Sequence, residues 1–314
     1  ELHFFSADGG ATGYLSFSGS VMPAIGGSAF LGQAEGYLVL FSGFDSRTQQ
    51  VTQLLVGLAP DGTTRGQTVI EDGVLRIEQH LVVDDPRGGA LLVDVTSAPG
   101  SPPGLESPWT IAMRRVSPVG LQIDGPRALD TGSRRIPTIA ARIDPEGSLL
   151  VLTAGVHFPP LRNNQLAGRW FDTSGRPLTP WFVTLDQVLG ESGETFGLQR
   201  GGIGVRLGER QAIVPARAAT TEPTPPWIPG YLPSLVQLAD RTVILSSTNE
   251  PCANRIEIRA PAGNVCGTVE IPAGARNGFC QSGLSMTVGR DGTVLQRTSN
   301  GNPCSVRWWR RLLQ

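Results

Sequence analysis

The sequence predicts an all-β fold assembled from repeated units of about four short strands each. Three observations carry this expectation. Glycine (40 residues) and proline (25) are abundant and spread along the 314-residue chain, which suits many short strands joined by tight turns. Short apolar runs of β type alternate with glycine-centred turns from one end to the other. Similar turns return at a period of roughly 50 residues. Hydrophobic residues make up 39% of the chain and charged ones 17%, enough apolar side chains to fill a core and too few charges for a disordered segment.

The elements follow in order. The N-terminal HFFSADGGATGYL (3–15) reads as two strands about a glycine turn. One kind of turn precedes a strongly apolar strand: AEGYLVLFSG (34–43), RGGALLVDVT (87–96), PEGSLLVLTAG (145–155), ADRTVILSS (239–247) and RDGTVLQRT (290–298). A second kind follows a strand in LLVGLAPDGTTRG (54–66), AMRRVSPVGLQI (112–123), GRWFDTSGRPLT (168–179) and IEIRAPAGNVCG (256–267). Aligned on the turn glycine, Phe5, Leu58, Val116 and Phe171 share the position four residues before it, and Arg259 is the exception. An apolar residue there is what stacked sheets require, and the glycine permits positive φ in the hairpin. Within FDTSGRPLTPWF (171–182), Phe171 is expected to pack between units, Gly175 to make the turn and Leu178 to begin the outer strand. Gly36, Gly89 and Gly147 lie 53 and 58 residues apart, and Asp240 and Gly292 lie 52 apart. The 93-residue gap between 147 and 240 holds a degenerate unit, GIGVRLGERQAIVPA (202–216).

Four strands per repeat, two kinds of hairpin and no helix-period segment resemble the blades of a β-propeller. IPTIAARIDPEGSLLVLTAG (136–155) and LPSLVQLADRTVILSS (232–247) look like the inner two strands of two blades, and NQLAGRWFDTSGRPLTPWFVTL (164–185) like an outer two. The resemblance is to an architecture. The turns are similar to the Asp-boxes of sialidase-like propellers but lack the full Ser-x-Asp-x-Gly-x-x-Trp pattern, and WD and kelch signatures are missing. It implies a single domain over 1–314 with six blades, five and seven being the alternatives. It also implies a ring closed by the terminal strands, so residues 1–20 are expected in one sheet with 283–314.

A net charge of −1 gives no reason to expect a nucleic-acid partner. All 26 basic residues are arginine, which reads as codon bias of a GC-rich bacterial genome. No apolar run approaches the ~18 residues that span a bilayer, so the chain is not expected to cross a membrane. Cys252, Cys266, Cys280 and Cys304 cluster in the last fifth of the chain, which suggests two disulfides and an extracytoplasmic location (secreted, periplasmic or cell-surface). Cys280 and Cys304 flank the last hairpin on one face and are expected to bond, leaving Cys252–Cys266. With no CxxC pair and no nearby histidine, no metal site is expected.

In a propeller the loops between strands two and three of each blade emerge on one face, the usual place for a site. Here they fall near 43–50, 97–109, 156–165, 217–230, 248–254 and 298–304. The HFPPLRNNQ loop (157–165) offers His157, Arg162 and Asn164. Trp109 and Trp227 sit in the proline-stiffened SPPGLESPW and TEPTPPWIPG, and Asn249 lies in TNEPC. These six are the candidate ligand-binding residues, suited to a glycan or a protein surface. No cofactor is expected, and no GxSxG, HExxH or phosphate-loop motif is present. The alternatives are a propeller enzyme of glycoside hydrolase or lyase type, with Asp45 and Glu250 as its carboxylates, and a structural subunit of a surface assembly.

Overall fold

A computed structural model describes residues 2–5, 11–15, 21–23, 29–33, 36–45, 50–59, 63–70, 76–85, 87–97, 108–117, 123–133, 136–144, 146–154, 158, 160–162, 164–186, 194–197, 202–207, 210–228, 234–237, 242–248, 253–260, 262–272, 275–276, 279–280, 285–288, 294–298 and 305–309. Among them every regular element is a strand, and every pairing with a described register is antiparallel. By its internal contacts the chain divides into two units, Glu1–Thr195 with Ala216–Thr221, and Phe196–Pro215 with Glu222–Gln314.

In the first unit, β1 (Leu2–Phe5) pairs with β2 (Ala11–Leu15). β3 (Val21–Pro23) and β4 (Ala29–Gln33) both pair with the long β5 (Gly36–Asp45), which continues to β6 (Gln50–Leu58) and β7 (Thr64–Ile70). A four-stranded sheet then runs in chain order through β8 (Arg76–Asp84), β9 (Ala90–Ser97), β10 (Trp109–Val116) and β11 (Arg127–Gly132). Another does so through β12 (Ile139–Ile143), β13 (Leu149–Ala154), β14 (Leu166–Phe171) and β15 (Phe182–Leu185).

β16 (Glu194–Gly197) joins this unit to the second and pairs in one sheet with β17 (Gly202–Leu207) and β18 (Arg210–Pro215), to which Glu222 adds a bridge at Ile213. A four-stranded sheet follows from β19 (Ser234–Gln237), β20 (Thr242–Thr248), β21 (Ala253–Arg259) and β22 (Val265–Pro272). Then come the small hairpin β23 (Ala275–Arg276) with β24 (Phe279–Cys280), and the three-stranded β25 (Ser285–Val288), β26 (Val294–Thr298) and β27 (Ser305–Trp309). The repeats read from the sequence are therefore sheets, with the expected inner pairs at β12–β13 and β19–β20 and the expected outer pair at β14–β15.

The hairpins share one turn. The amides of Asp85, Asp144, Asp172 and Ala260 donate to the carbonyl four residues on, and Gly88, Gly147, Gly175 and Gly263 donate back to the carbonyl three residues before. That pattern places the glycine at positive φ, and the four sit at +103°, +90°, +82° and +92°. The two kinds of turn are thus one geometry used at both ends of a strand pair. Gly88, rather than Gly89, is the equivalent of Gly147. Leu178 makes only a local contact, its amide donating to Trp170 O beside an isolated bridge from Pro177 to Phe171; the outer strand β15 starts at Phe182, past Pro180, which has no amide to give a ladder.

The aspartates tie these turns. Asp172 Oδ1 accepts from the Ser174 amide (2.8 Å), the Ser174 hydroxyl (2.6 Å) and the Arg176 amide (3.0 Å). Asp85 Oδ1 and Oδ2 accept from Arg87 Nε (3.0 Å) and Nη2 (2.8 Å). Desolvation pushes both carboxyls up, but the hydrogen bonds and arginine charges outweigh it, and both are held below the ordinary 3.8. A depressed carboxyl contributes stability that is complete above its unfolded value and is lost as pH falls through its folded value. Urea midpoints are therefore expected to be flat down to about pH 5 and to fall below about pH 4, and Asp85→Asn should flatten that acid limb.

The core lies between sheets. Leu91, Val93, Val95, Trp109, Ile111, Met113 and Leu129 of β8–β11 form one buried cluster with Ile139, Ile143, Leu149, Val151, Phe158 and Phe171 from the β12–β15 sheet and its β13–β14 loop. Ala90, Leu92 and Val116, on the opposite face, form another with Leu38, Leu40, Leu55 and Ile70. Leu58, Val116 and Phe171, three of the aligned positions, are each at most 1% exposed. Gln79 of β8 adds a polar tie, its amide nitrogen donating to Ile139 O (2.7 Å) and its oxygen accepting from Ile139 N (2.8 Å).

Two expectations meet the structure differently. Among the described residues, β1 and β2 pair with each other and β25–β27 with each other, and no ladder between them is described. Cys266 is a free, exposed cysteine, and the expected Cys252–Cys266 bond is corrected. Cys266 flanks the turn of the β21–β22 hairpin, whereas Ala253, to which Cys252 is joined, pairs with Pro272 at the far end. Six strand residues separate those ends by about 20 Å. A disulfide needs Cα atoms within about 7 Å.

Candidate functional site

The β8–β11 sheet carries an open cleft of about 460 Å³ at the end where β9 stops and β10 begins. Thr96 and Ser97 line it from the end of β9, Pro108, Trp109 and Thr110 from the start of β10, and Thr131, Gly132 and Ser133 from the end of β11. The register fixes this arrangement, since Trp109 pairs with Ser97 on one side and Gly132 on the other. The lining has no ionisable side chain and five hydroxyls.

Trp109 is 2% exposed and forms the floor of the cleft. Its indole Nε1 is buried without a hydrogen-bond partner. A Cβ at position 132 would lie 2.3 Å from Trp109 Cζ2 and 2.6 Å from Cε2, so only glycine admits the ring edge here. Phe158 meets Trp109 edge-on at 5.7 Å and stacks on Trp181 at 3.8 Å. Trp181 Nε1 and Arg169 Nη1 both donate to Asp130 Oδ2, at 2.5 and 2.9 Å. The Arg169 guanidinium also lies over the Trp181 and Phe171 rings and donates to Thr179 O. The aromatic row is thereby fixed from two sheets, and the loop after β13 is brought to the cleft.

That loop holds three of the predicted residues. Arg162 is exposed, its amide donating to Gln165 Oε1 at 2.8 Å, and Asn164 is half-buried in the same turn. Gln165 Nε2 reaches Asp186 Oδ1, which anchors the loop to the end of β15. His157 and Asn249 lie outside the described residues, as do Glu250, the Asp45 side chain and the Cys252 and Cys304 thiols. Trp227 belongs elsewhere. It is half-buried against the β21–β22 turn, where a Cβ on Gly263 would lie 2.2 Å from its Cδ1 and Arg259 covers its ring at 5.7 Å. This explains why position 259 departs from the apolar pattern. Asp130, Arg169, Trp181 and Gly132 were missed, because each acts only across strands and no local motif marks them.

Solved structures share the fold. The β-propeller domain of the Trilobed protease from Pyrococcus furiosus matches with a TM-score of 0.50 at 10% identity, over 90% of this chain and 81% of that one. A structure from an analysis of two prolyl endopeptidases matches with 0.54 at 14%, over 92% and 40%. Prolyl oligopeptidase B from Galerina marginata matches with 0.51 at 10%, over 90% and 40%. The fold is that of a β-propeller. The propeller spans 40% of the length of those prolyl peptidase chains. No family model matches the sequence, and no curated protein matches it. Among the described residues of the propeller, no helix is long and apolar enough to cross a membrane.

In propeller terms, the cleft and the 155–165 loop lie at the ends where strands two and three of neighbouring blades are joined. Neutral hydroxyls over an aromatic floor can hold an uncharged polar ligand by hydrogen bonds and van der Waals contact. The carboxylates Asp85, Asp94 and Asp130 are each engaged by arginine, at 2.8, 3.4 and 2.9 Å.

Proposed function

We propose that the chain is an extracytoplasmic binding module that holds a glycan or a protein partner on the face where the strand-two-to-three loops emerge. The observation that supports it is the Trp109 cleft, an uncharged, hydroxyl-lined opening built on a floor fixed by two blades. In this reading one six-bladed propeller covers 1–314. Its blades are built on β4–β7, β8–β11, β12–β15, β16–β18, β19–β22 and β25–β27, and the N-terminal strands complete the last. The location rests on a Cys280–Cys304 disulfide, and peptide mapping without reductant should recover that linked pair.

The test is a glycan array and a protein-capture screen on the full chain, with mass in solution measured alongside. A specific ligand whose binding is abolished by Thr131→Trp, which fills the cleft from an exposed position, supports the proposal. No ligand together with a large homogeneous assembly would favour a structural subunit instead.

A further inference from the structure

Buried arginines in this fold come with an acceptor. Arg114, Arg169 and Arg259, buried or half-buried, each sit on a carboxylate, Asp94, Asp130 and Glu257. Arg142 of β12 is half-buried as well, yet among the described residues no carboxylate or carbonyl engages its guanidinium. Burial alone acts on that group and holds its pKa below the ordinary arginine value. It keeps its proton at neutral pH all the same, so it is a charge with five N–H donors and a desolvation cost that no described residue offsets.

Ile139, Ala141 and Ile143 pack into the cluster shared with the β8–β11 sheet. Alternation therefore turns Arg142 to the other face, beside its cross-strand partner, the fully buried Leu150. β12 is the first strand of its sheet and, among the described residues, pairs only with β13. Ile139 turns its N–H and C=O to the free edge, where Gln79 takes both, and Asp144 turns its N–H inward to Ser148 O. Alternation between these two fixed points puts the amides of Ala141 and Ile143, on either side of Arg142, at the free edge. β4 lies against β8 and β8 against β12, so that edge faces the place where first strands converge, the central channel of a propeller. Arg142 stands near the end of β12 that leads into the glycine turn at Gly147, away from the loop after β13.

We infer that Arg142, with the edge amides of Ala141 and Ile143, forms an anion-binding site on the channel side of β12 that takes the oxyanion group of a small ligand. A guanidinium holds such a group through paired, charge-assisted N–H···O bonds, and an edge amide adds a neutral donor beside it. An oxyanion there offsets the desolvated charge, which water in a half-buried position does less fully. The site is separate from the Trp109 cleft, whose lining is uncharged, and does not depend on it.

Thermal melts of the full chain in sodium phosphate, sulfate, acetate and succinate, each against sodium chloride at matched ionic strength, test it. At least one oxyanion should raise Tm saturably, by about 2 °C at ten times its Kd. Sulfate and phosphate stabilise many proteins by exclusion from their surface, so two variants separate binding from that general effect. Arg142→Met should lose the saturable rise, and in chloride it should melt at or above the parent protein, because the unpaired charge is gone. Arg176→Met, at an exposed side chain, should keep the rise. A larger response to phosphate and sulfate than to acetate and succinate would assign a tetrahedral oxyanion as the ligand group, and the reverse order a carboxylate. The inference is overturned by a rise of equal size in all three proteins or by no saturable rise in the parent. It is overturned as well by an Arg142→Met variant several degrees less stable in chloride, which would mean that the guanidinium has its acceptor within the chain.

Discussion

Arg114→Met is expected to lower the stability of the fold by about 3–5 kcal/mol. Arg114 and Asp94 are 5% and 1% exposed, with Nη1 and Oδ2 3.4 Å apart. Alternation along β9 and β10 puts them on the face of Ala90, Leu92 and Val116, against the preceding sheet. Loss of the guanidinium leaves a carboxylate where solvation is poor, and that penalty, more than the lost attraction, sets the size of the effect. Asp94→Leu combined with Arg114→Met should recover most of the loss, because an apolar pair suits this interface. Chemical denaturation of the three variants reads both effects. A single-variant loss under about 1 kcal/mol would contradict the burial of the pair.

Phe171→Ala is the second large change, with an expected loss of about 3–5 kcal/mol. The ring is fully buried in the cluster shared by the β8–β11 and β12–β15 sheets, and Arg169 rests on its edge of the interface. Phe171→Leu should cost about 1 kcal/mol, since volume is largely kept. Equal losses for the two variants would mean that the ring does not fill the space between sheets.

These two predictions mark where the sequence was readable and where it was not. Phe171 stood out because the same apolar position recurs at Leu58 and Val116 beside a turn glycine, and repetition turns a local pattern into a statement about packing. Gly147, Gly175 and Gly263 were readable for the same reason, as positive φ demands glycine wherever the turn occurs. Asp94 and Arg114 carry no such signal, because their partnership runs diagonally between two strands. The burial of Trp109 is decided by Gly132 and Phe158, residues distant in sequence, whereas its proline-rich flanks describe only the loop. Trp181 is the penultimate residue of the stretch FDTSGRPLTPWF. That stretch begins as a repeat marker at Phe171 and Gly175, and near its end carries a ring that stacks on Phe158, one step from the cleft. The Cys252–Cys266 pairing failed because parity of cysteines says nothing of hairpin length.

The central claim is that Trp109 floors a site open to ligand. The indole N–H resonances of the ¹⁵N-labelled protein test this directly, because Trp170 provides an internal control, being fully buried with an Nε1 that also has no partner. On addition of a bound ligand, the Trp109 indole resonance should shift and the Trp170 resonance should stay in place. A saturating ligand that leaves the Trp109 resonance unmoved would contradict the account.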